Sequence, residues 1–428
     1  MRRENLLDRR QMKKLMCLGL AAAMLVSAGC GTGAGVTDDT ASDRKPANSA
    51  KSDESKDGFD ENSKDVKKKT AEIEQYIDKL YYFDIDDEKR EESYYDGLME
   101  GLDDRYSVYY TKDEYEKLME DDSGEFEGIG ATVSKNQDDG TIYVVKPLED
   151  SPAEKAGLLP GDVILRVDDL ELTTDMELEF VVEHIRGEKG TDVEIEVYRE
   201  GEPDYLTFTV TRDKIETKTV AYEMLDDNIG YIQVEQFIEN TPDLFKDAVD
   251  DLQGQGAKAL VIDLRNNPGG LVKSVISMLD YLIDDDALAD GAESKGLLLQ
   301  TKDKNDEVLE NYSCEDGHSV DLPVAVLING NSASASEIFA GAVQDYKLGK
   351  VVGTTSYGKG IVQSVIKLSD GSAIKLTIAQ YFRPSGEVVH QVGIVPDVEE
   401  ELDESLKQKV TIEHDEDNQL QKALDTLD

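Results

Sequence analysis

The sequence predicts an α/β protein: a layered core of alternating strands and helices, preceded by a smaller strand-rich domain and a helical segment. Three observations predict it. From residue 220 onward, short apolar runs of strand character alternate with longer segments of helical period, the pattern of an α/β layer structure. Between residues 123 and 213 the pattern changes to brief strands bounded by turn residues, with a helix over residues 176–185. Residues 67–122 place Ile73, Ile77, Leu80 and Tyr81, then Tyr94, Leu98 and Leu102, then Tyr115 and Leu118 at helical spacing. At 428 residues the chain has length for two or three domains with cores of their own.

The elements follow in order. Arg2, Arg3, Arg9, Arg10, Lys13 and Lys14 precede an apolar run over residues 15–28, which has the length of a signal-peptide core and is short for a membrane span. The run ends in Leu25-Val26-Ser27-Ala28-Gly29-Cys30. Small residues before a cysteine resemble the lipobox of bacterial lipoproteins, in which the cysteine thiol is lipidated and becomes the mature N-terminus. Residues 1–29 are therefore expected to be a lipoprotein signal peptide and Cys30 the lipidated residue. That expectation puts the protein on the extracytoplasmic face of the bacterial cell membrane, with ordinary secretion as the alternative. Residues 30–66, rich in Gly, Ser, Thr, Asp and Lys, read as a disordered tether. The helical region 67–122 has apolar faces that pack within the chain or against a second copy.

Composition narrows the partners. There are 93 acidic against 46 basic residues, a formal net charge of -47, so the chain repels phosphate backbones and nucleic acid is excluded as an expected partner. Of three cysteines, Cys17 lies in the signal core and Cys30 is the lipid site, leaving Cys314 with no disulfide partner in the mature chain. The four histidines, His184, His318, His390 and His414, fit no metal-protease helix motif and no Gly-x-Ser-x-Gly elbow, and no metal or organic cofactor is expected.

Residues 123–213 carry Phe126-Glu127-Gly128-Ile129-Gly130-Ala131, then Ser151-Pro152-Ala153-Glu154-Lys155-Ala156-Gly157-Leu158 and Gly161-Asp162-Val163-Ile164. In combination these resemble a PDZ domain. The backbone N–H groups of Gly128, Ile129 and Gly130, unshielded by large side chains, are then the expected holders of a peptide's terminal carboxylate while the peptide adds as a strand. A helix over residues 176–185 walls that groove, so that Val181, Val182 and Ile185 face either the peptide or the domain's own core. Arg186, just beyond the helix, is a candidate contact with the rest of the chain.

The core, residues 214–400, reads as strands at 229–237, 258–264 and 323–328, a helix at 271–283, a strand near Val351, and a strand pair at 361–368 and 373–382. Within it stands Asn331-Ser332-Ala333-Ser334-Ala335-Ser336-Glu337 at the start of a helix marked by Ile338, Phe339, Ala342 and Val343. A serine hydroxyl becomes a nucleophile only when a base takes its proton, and a lysine serves if burial keeps it neutral. Taken alone, the three serines are equally readable as helix caps. The acidic segment 401–428 reads as a helical tail with Leu402, Leu406 and Val410 as packing residues.

The serine run, together with Tyr357-Gly358-Lys359-Gly360 and Gln363, resembles the active site of the C-terminal processing peptidases, the tail-specific Ser/Lys proteases. The resemblance extends to Gly101-Leu102-Asp103-Asp104-Arg105-Tyr106-Ser107-Val108-Tyr109, whose plain reading is a turn between helices, and to Asp263-Leu264-Arg265-Asn266-Asn267-Pro268-Gly269-Gly270. It implies a crotonase-like core, Ser334 as nucleophile, Lys359 as base and Gln363 as the residue that orients it. It implies an oxyanion hole made by the backbone N–H groups of Gly269 and Ala335, with Gly270 a less favoured substitute. It further implies protein or peptide substrates with free C-termini, a homodimer built through the helical segment, and a regulatory partner. Two other readings stay open on residues alone: a catalytically silent PDZ scaffold lipoprotein, and an acyl-CoA enzyme suggested by a crotonase-type core.

Overall fold

The computed structural model describes residues 60–428, apart from positions 138, 316, 410 and 428, in two compact units that divide between residues 101 and 102. The signal peptide, Cys30 and residues 30–59 of the tether lie outside the described residues, whereas the last residues expected as tether, 64–66, form instead the start of the helix Lys64–Leu80. None of the described helices is long and apolar enough to cross a membrane.

The described part of the first unit is a pair of helices, Lys64–Leu80 and Asp87–Glu100. Each starts at a residue that caps it: Ser63 Oγ accepts from the Val66 N–H (3.3 Å) and Asp86 Oδ1 from the Lys89 N–H (3.0 Å). Arg90 links the pair, 3.9 Å from Glu74 and 3.7 Å from Asp78. Neither helix buries a residue, and the expected apolar face stays open, with Ile73, Tyr76, Leu80 and Tyr81 exposed.

The second unit starts with the turn 102–107 and the strand Val108–Tyr110, which pairs antiparallel with Ala373 to Lys375. The helix Lys112–Ser123 therefore belongs to this unit, where Leu118 packs with Tyr110 and Ala373. A two-stranded ribbon, Glu125–Gly128 against Asp213–Glu216, forms the stem through which the chain enters and leaves the PDZ domain. That domain is a six-stranded sheet around Ile142, Val144, Ile164, Val193, Ile195 and Val197. Of its two described helices, Pro152–Ala156 and Leu178–Ile185, the second buries Val181 and Ile185 in the same core.

The core proper is a six-stranded sheet ordered 220–224, 229–234, 259–263, 324–328, 349–353 and 398–399. Every pairing is parallel except that of its first two strands. The strands 259–263 and 324–328 are buried at every position, as expected for central parallel strands covered on both faces. On one face lie the helices Thr241–Gln255, Val272–Leu282 and Ala335–Tyr346, through Phe245, Leu252, Leu279 and Phe339. On the other lies the C-terminal helix Asn418–Leu424, with Leu420 and Ala423 against Val261, Leu327 and Val352.

That last contact revises the reading of the tail. Its only described helix is Asn418–Leu424, and the packing is done chiefly by Leu420 and Ala423. Leu406 is also buried, Leu402 is half-buried, and Val410 lies outside the described residues. Asp417 caps the helix, accepting from the Gln419 and Leu420 N–H groups, and also bonds Arg265 with Gln419, so the tail completes the core.

Candidate active site

Ser334 stands directly before the helix Ala335–Tyr346 with φ 55° and ψ -113°. A non-glycine residue at positive φ costs on the order of 1–3 kcal/mol, and such residues cluster where function over-determines the backbone. Ser334 occupies the N-cap position, and Glu337 reaches back to its N–H as in a capping box, but its backbone lies outside the extended range of an ordinary N-cap. The Glu337 N–H, which a capping hydroxyl would otherwise serve, already donates to the Ser334 carbonyl (2.8 Å). The two flanking serines have separate tasks: Ser332 Oγ donates to the Leu264 carbonyl (2.8 Å) and Ser336 Oγ to the Asn267 carbonyl (2.9 Å). Both are fully buried and pin the serine run to the loop after strand 259–263.

Glu337 is the centre of the arrangement. Fully buried, its carboxylate accepts four hydrogen bonds: Oε2 from the Ser334 N–H (2.7 Å) and the Lys359 N–H (2.8 Å), and Oε1 from the Gly358 N–H (2.7 Å) and Ser356 Oγ (2.5 Å). One carboxylate thus holds the backbone of the serine and of the lysine, which lie on different segments. Tyr381 does the same on the carbonyl side. Its hydroxyl, within reach of both carbonyls, donates to Lys359 O (2.6 Å) and approaches Ser334 O (3.2 Å). Burial, and then the nearby Glu337 charge, push the Tyr381 hydroxyl well above the usual phenol value, so it remains a donor.

The Lys359 Nζ lies 4.7 Å from the centre of the Tyr106 ring. Gln363, four residues on in the strand Ile361–Lys367, donates through Nε2 to Thr377 Oγ1 (3.3 Å) on the paired strand. The loop 264–270 is fixed by Asn267, fully buried, whose Nδ2 donates to the Val234 carbonyl (2.8 Å) and whose Oδ1 accepts the Gly269 N–H (2.8 Å). Of the two expected oxyanion donors, Gly269 is therefore engaged within its own loop. The Ala335 N–H belongs to the first turn of its helix, where amides lack intrahelical acceptors.

Gly269 has φ 101°, and a Cβ there would meet Ala333 O at 2.6 Å, Ser334 Cβ at 2.8 Å and Ala335 N at 2.9 Å. Gly269→Ala is accordingly expected to lower kcat on the order of 10²–10³-fold with a smaller change in KM, because it displaces the loop 264–270 against Ser334. Steady-state kinetics on a peptide substrate checks it.

In the PDZ domain, a cavity of about 110 Å³ is lined by Phe126, the turn 128–131 and Val133 on one side and by Val182, Ile185 and Arg186 on the other. Val181 faces the core and takes no part in the groove, whereas Val182 and Ile185 do. Gly130 has φ 72° and a Cβ there would lie 2.5 Å from Ser151 Cβ, so the turn requires glycine. Arg186 pairs with Glu120 of the helix Lys112–Ser123, and its guanidinium stands 5.1 Å from the Phe126 ring centre. It is thus a contact between the groove and the rest of its unit.

Reading the residues alone passed over Glu337, Tyr381 and Asn267 as site residues. The spacing of Ser334 and Glu337, three apart at a helix start, was the available signal for the first. Nothing local marks the other two.

Known proteins resemble this chain. Residues 228–400 match the profile described as peptidase family S41, and residues 128–212 match that of the PDZ domain. The chain is 38% identical over 328 residues to the carboxy-terminal processing protease CtpA of Bacillus subtilis (strain 168), covering 76% of this chain and 67% of that protein. It is 35% identical over 351 residues to a probable CtpA-like serine protease of Staphylococcus saprophyticus, covering 82% of this chain and 69% of that one. A solved structure of a photosystem II D1 C-terminal processing protease shares 30% identity, with a TM-score of 0.43 over 76% of this chain and 85% of that chain.

Proposed function

We propose that this chain, which belongs to peptidase family S41 and is a serine-type C-terminal processing peptidase with a PDZ domain and a crotonase-like core, works outside the cytoplasm through a Ser334–Lys359 dyad. The observation that carries the dyad is the shared anchoring of both residues. The Ser334 and Lys359 N–H groups meet on Glu337 Oε2, and the Tyr381 hydroxyl reaches both carbonyls.

Neutral Lys359 removes the Ser334 proton as the hydroxyl attacks a peptide carbonyl. The oxyanion is received by the Ala335 N–H and by the Gly269 N–H, the latter exchanging Asn267 Oδ1 for the substrate oxygen. The lysine ammonium then gives its proton to the leaving amine, and water hydrolyses the acyl-enzyme. Gln363, with Thr377, keeps the lysine aligned. A free C-terminus enters the groove of the PDZ domain, its carboxylate on Gly128, Ile129 and Gly130 and its last side chain in the apolar cavity. Attachment through a lipidated Cys30, and pairing of two copies through the open apolar faces of the first unit, belong to the same proposal.

The test is cleavage of a loosely folded protein by the full chain, comparing a free with an amidated C-terminus. The free form is expected to be cut at least about tenfold faster, the difference that loss of one charge-assisted carboxylate contact brings. Equal rates would remove the PDZ groove from recognition, and no cleavage of either would count against the protease itself.

A further inference from the structure

The turn 102–107, which precedes the PDZ domain in sequence, lies against the lysine that the mechanism uses as its base. Lys359 Nζ is 4.7 Å from the Tyr106 ring centre, within the range at which an ammonium is attracted to an aromatic face. The ring is held from several sides. Arg105 bonds the hydroxyls of Tyr106 and of Tyr357, two residues before Lys359, and its guanidinium carbon stands 4.6 Å and 5.5 Å from the two ring centres. Asp104 Oδ1 accepts the Tyr106 N–H (3.0 Å) and Oδ2 accepts Ser107 Oγ (2.7 Å). Ser107 Oγ accepts the Thr377 N–H (3.0 Å), and Thr377 is the partner of Gln363. The turn therefore braces the loop of the lysine through Tyr357 and, through Thr377, the strand Ala373–Phe382 that pairs with the strand of Gln363.

We propose that Tyr106 is a positioning residue of the reaction: its ring is the seat on which the Lys359 ammonium rests after taking the serine proton, and the turn 104–107 holds that seat in place. The inference rests on Lys359 as the base. In sequence the same turn is a motif without chemistry of its own. In space it supplies the charged form of the base with a surface that is attractive to cations and does not compete for the proton.

The groups that face the lysine and its loop are several. From the turn come Asp104, Arg105 and Tyr106, and from the lysine's own loop Tyr357. From the nucleophile helix comes Glu337 on the backbone N–H, and from the strand Ala373–Phe382 comes Tyr381 on the carbonyl. His390 stands beside Gly360. Of these, Asp104 supports the ammonium by charge. Burial raises its carboxyl, but hydrogen bonds from Thr377, Ser107 and the Tyr106 N–H, with the Lys359 charge, outweigh that and hold it below the usual range. Arg105 opposes the ammonium by charge, its guanidinium held by the two phenol oxygens.

The sign follows directly. Activity needs neutral lysine, so anything that stabilises the ammonium places the acid limb of the rate profile at higher pH, and its removal moves the limb down. The experiment is kcat and KM over about pH 5 to 10 for the full chain, with Tyr106→Leu, Tyr106→Phe, Asp104→Asn and Lys359→Ala, each checked by thermal unfolding. Tyr106→Leu is expected to move the acid limb down by about half a pH unit or more and to lower kcat with KM little changed. Tyr106→Phe, which keeps the ring, is expected to hold the limb at the parental pH. Asp104→Asn is expected to shift it in the same direction as Leu and gives an independent reading if the Leu variant fails to fold. A folded Tyr106→Leu, or failing that Asp104→Asn, whose limb stays at the parental pH would overturn the proposal. So would a Phe variant that shifts as far as Leu, since the hydroxyl network and not the ring would then be responsible. Parental activity in Lys359→Ala would instead remove the lysine as base.

Discussion

Ser334→Ala is expected to lower kcat/KM by on the order of 10⁵-fold or more while leaving the fold and peptide binding by the PDZ domain in place, and Lys359→Ala to do nearly the same. The two losses should not add. Members of a catalytic unit depend on one another, so the double variant is expected to match the worse single one. The backbone makes the serine result informative. At φ 55° alanine is as strained as serine, and the neighbouring N–H of Glu337 is already satisfied by a carbonyl. A serine kept for its hydroxyl's structural bonds would show its loss in thermal stability, whereas a nucleophile shows it in turnover alone. Unfolding curves beside the kinetics separate the two.

Glu337→Gln carries the second large effect. The amide offers one acceptor oxygen in place of two and turns an NH2 group toward N–H donors, so two of the four hydrogen bonds are lost or reversed. The serine and lysine segments then lose their common anchor. A shift of about 1 Å between reacting groups is enough for on the order of 10²-fold in rate, and that is the expected fall in kcat. Glu337→Ala goes further. It strands four donors, three of them buried, each buried one costing about 1–3 kcal/mol when unpaired, and is expected to cost several kcal/mol of stability as well as activity. Thermal unfolding should rank parent, Gln and Ala in that order, with kcat following. A Gln variant of parental rate would show that Tyr381 and the loop contacts suffice to hold the pair.

Much of the architecture was legible in the sequence because it follows from periodicity. The strands 229–234, 259–263 and 324–328 are β-branched apolar runs, and the pair 361–367 and 373–382 alternates around a Ser-Asp-Gly-Ser turn. The helix Thr241–Gln255 was equally readable and was passed over. Phe245, Ala248, Val249 and Leu252 repeat at helical spacing between Pro242 at the start and Gly256 in a left-handed cap. The hairpin Leu297–Lys302 with Val308–Ser313 was harder, since its second strand is largely exposed, Val308 and Leu309 included, and shows no buried face. The tail misled for a related reason. Its acidic stretch before Asn418 carries apolar residues at helical spacing, yet the residues that reach the sheet are the later Leu420 and Ala423.

Within the site, motif spacing pointed to Ser334, Lys359, Gln363 and Gly269, but it held no information on what joins them. Glu337 stands within the motif and was legible as a partner only through its distance from Ser334. Tyr381, a strand residue 47 positions from the serine, and Tyr106, 253 positions before the lysine, meet the site only by tertiary folding. Partnerships of that range leave no mark on local composition. They arise because the strand Ala373–Phe382 pairs with Val108–Tyr110 on one edge and with Ile361–Lys367 on the other.

The measurement that reaches the central claim most directly is the site of acylation during turnover. The full chain is mixed with an activated peptide ester, quenched in acid within the first turnovers, digested and mapped by mass spectrometry. An acyl group on Ser334, formed by the parent and lost or strongly slowed in Lys359→Ala, is the expected result. An acyl group on another residue, or turnover by Ser334→Ala at the parental rate, would contradict the Ser334–Lys359 dyad.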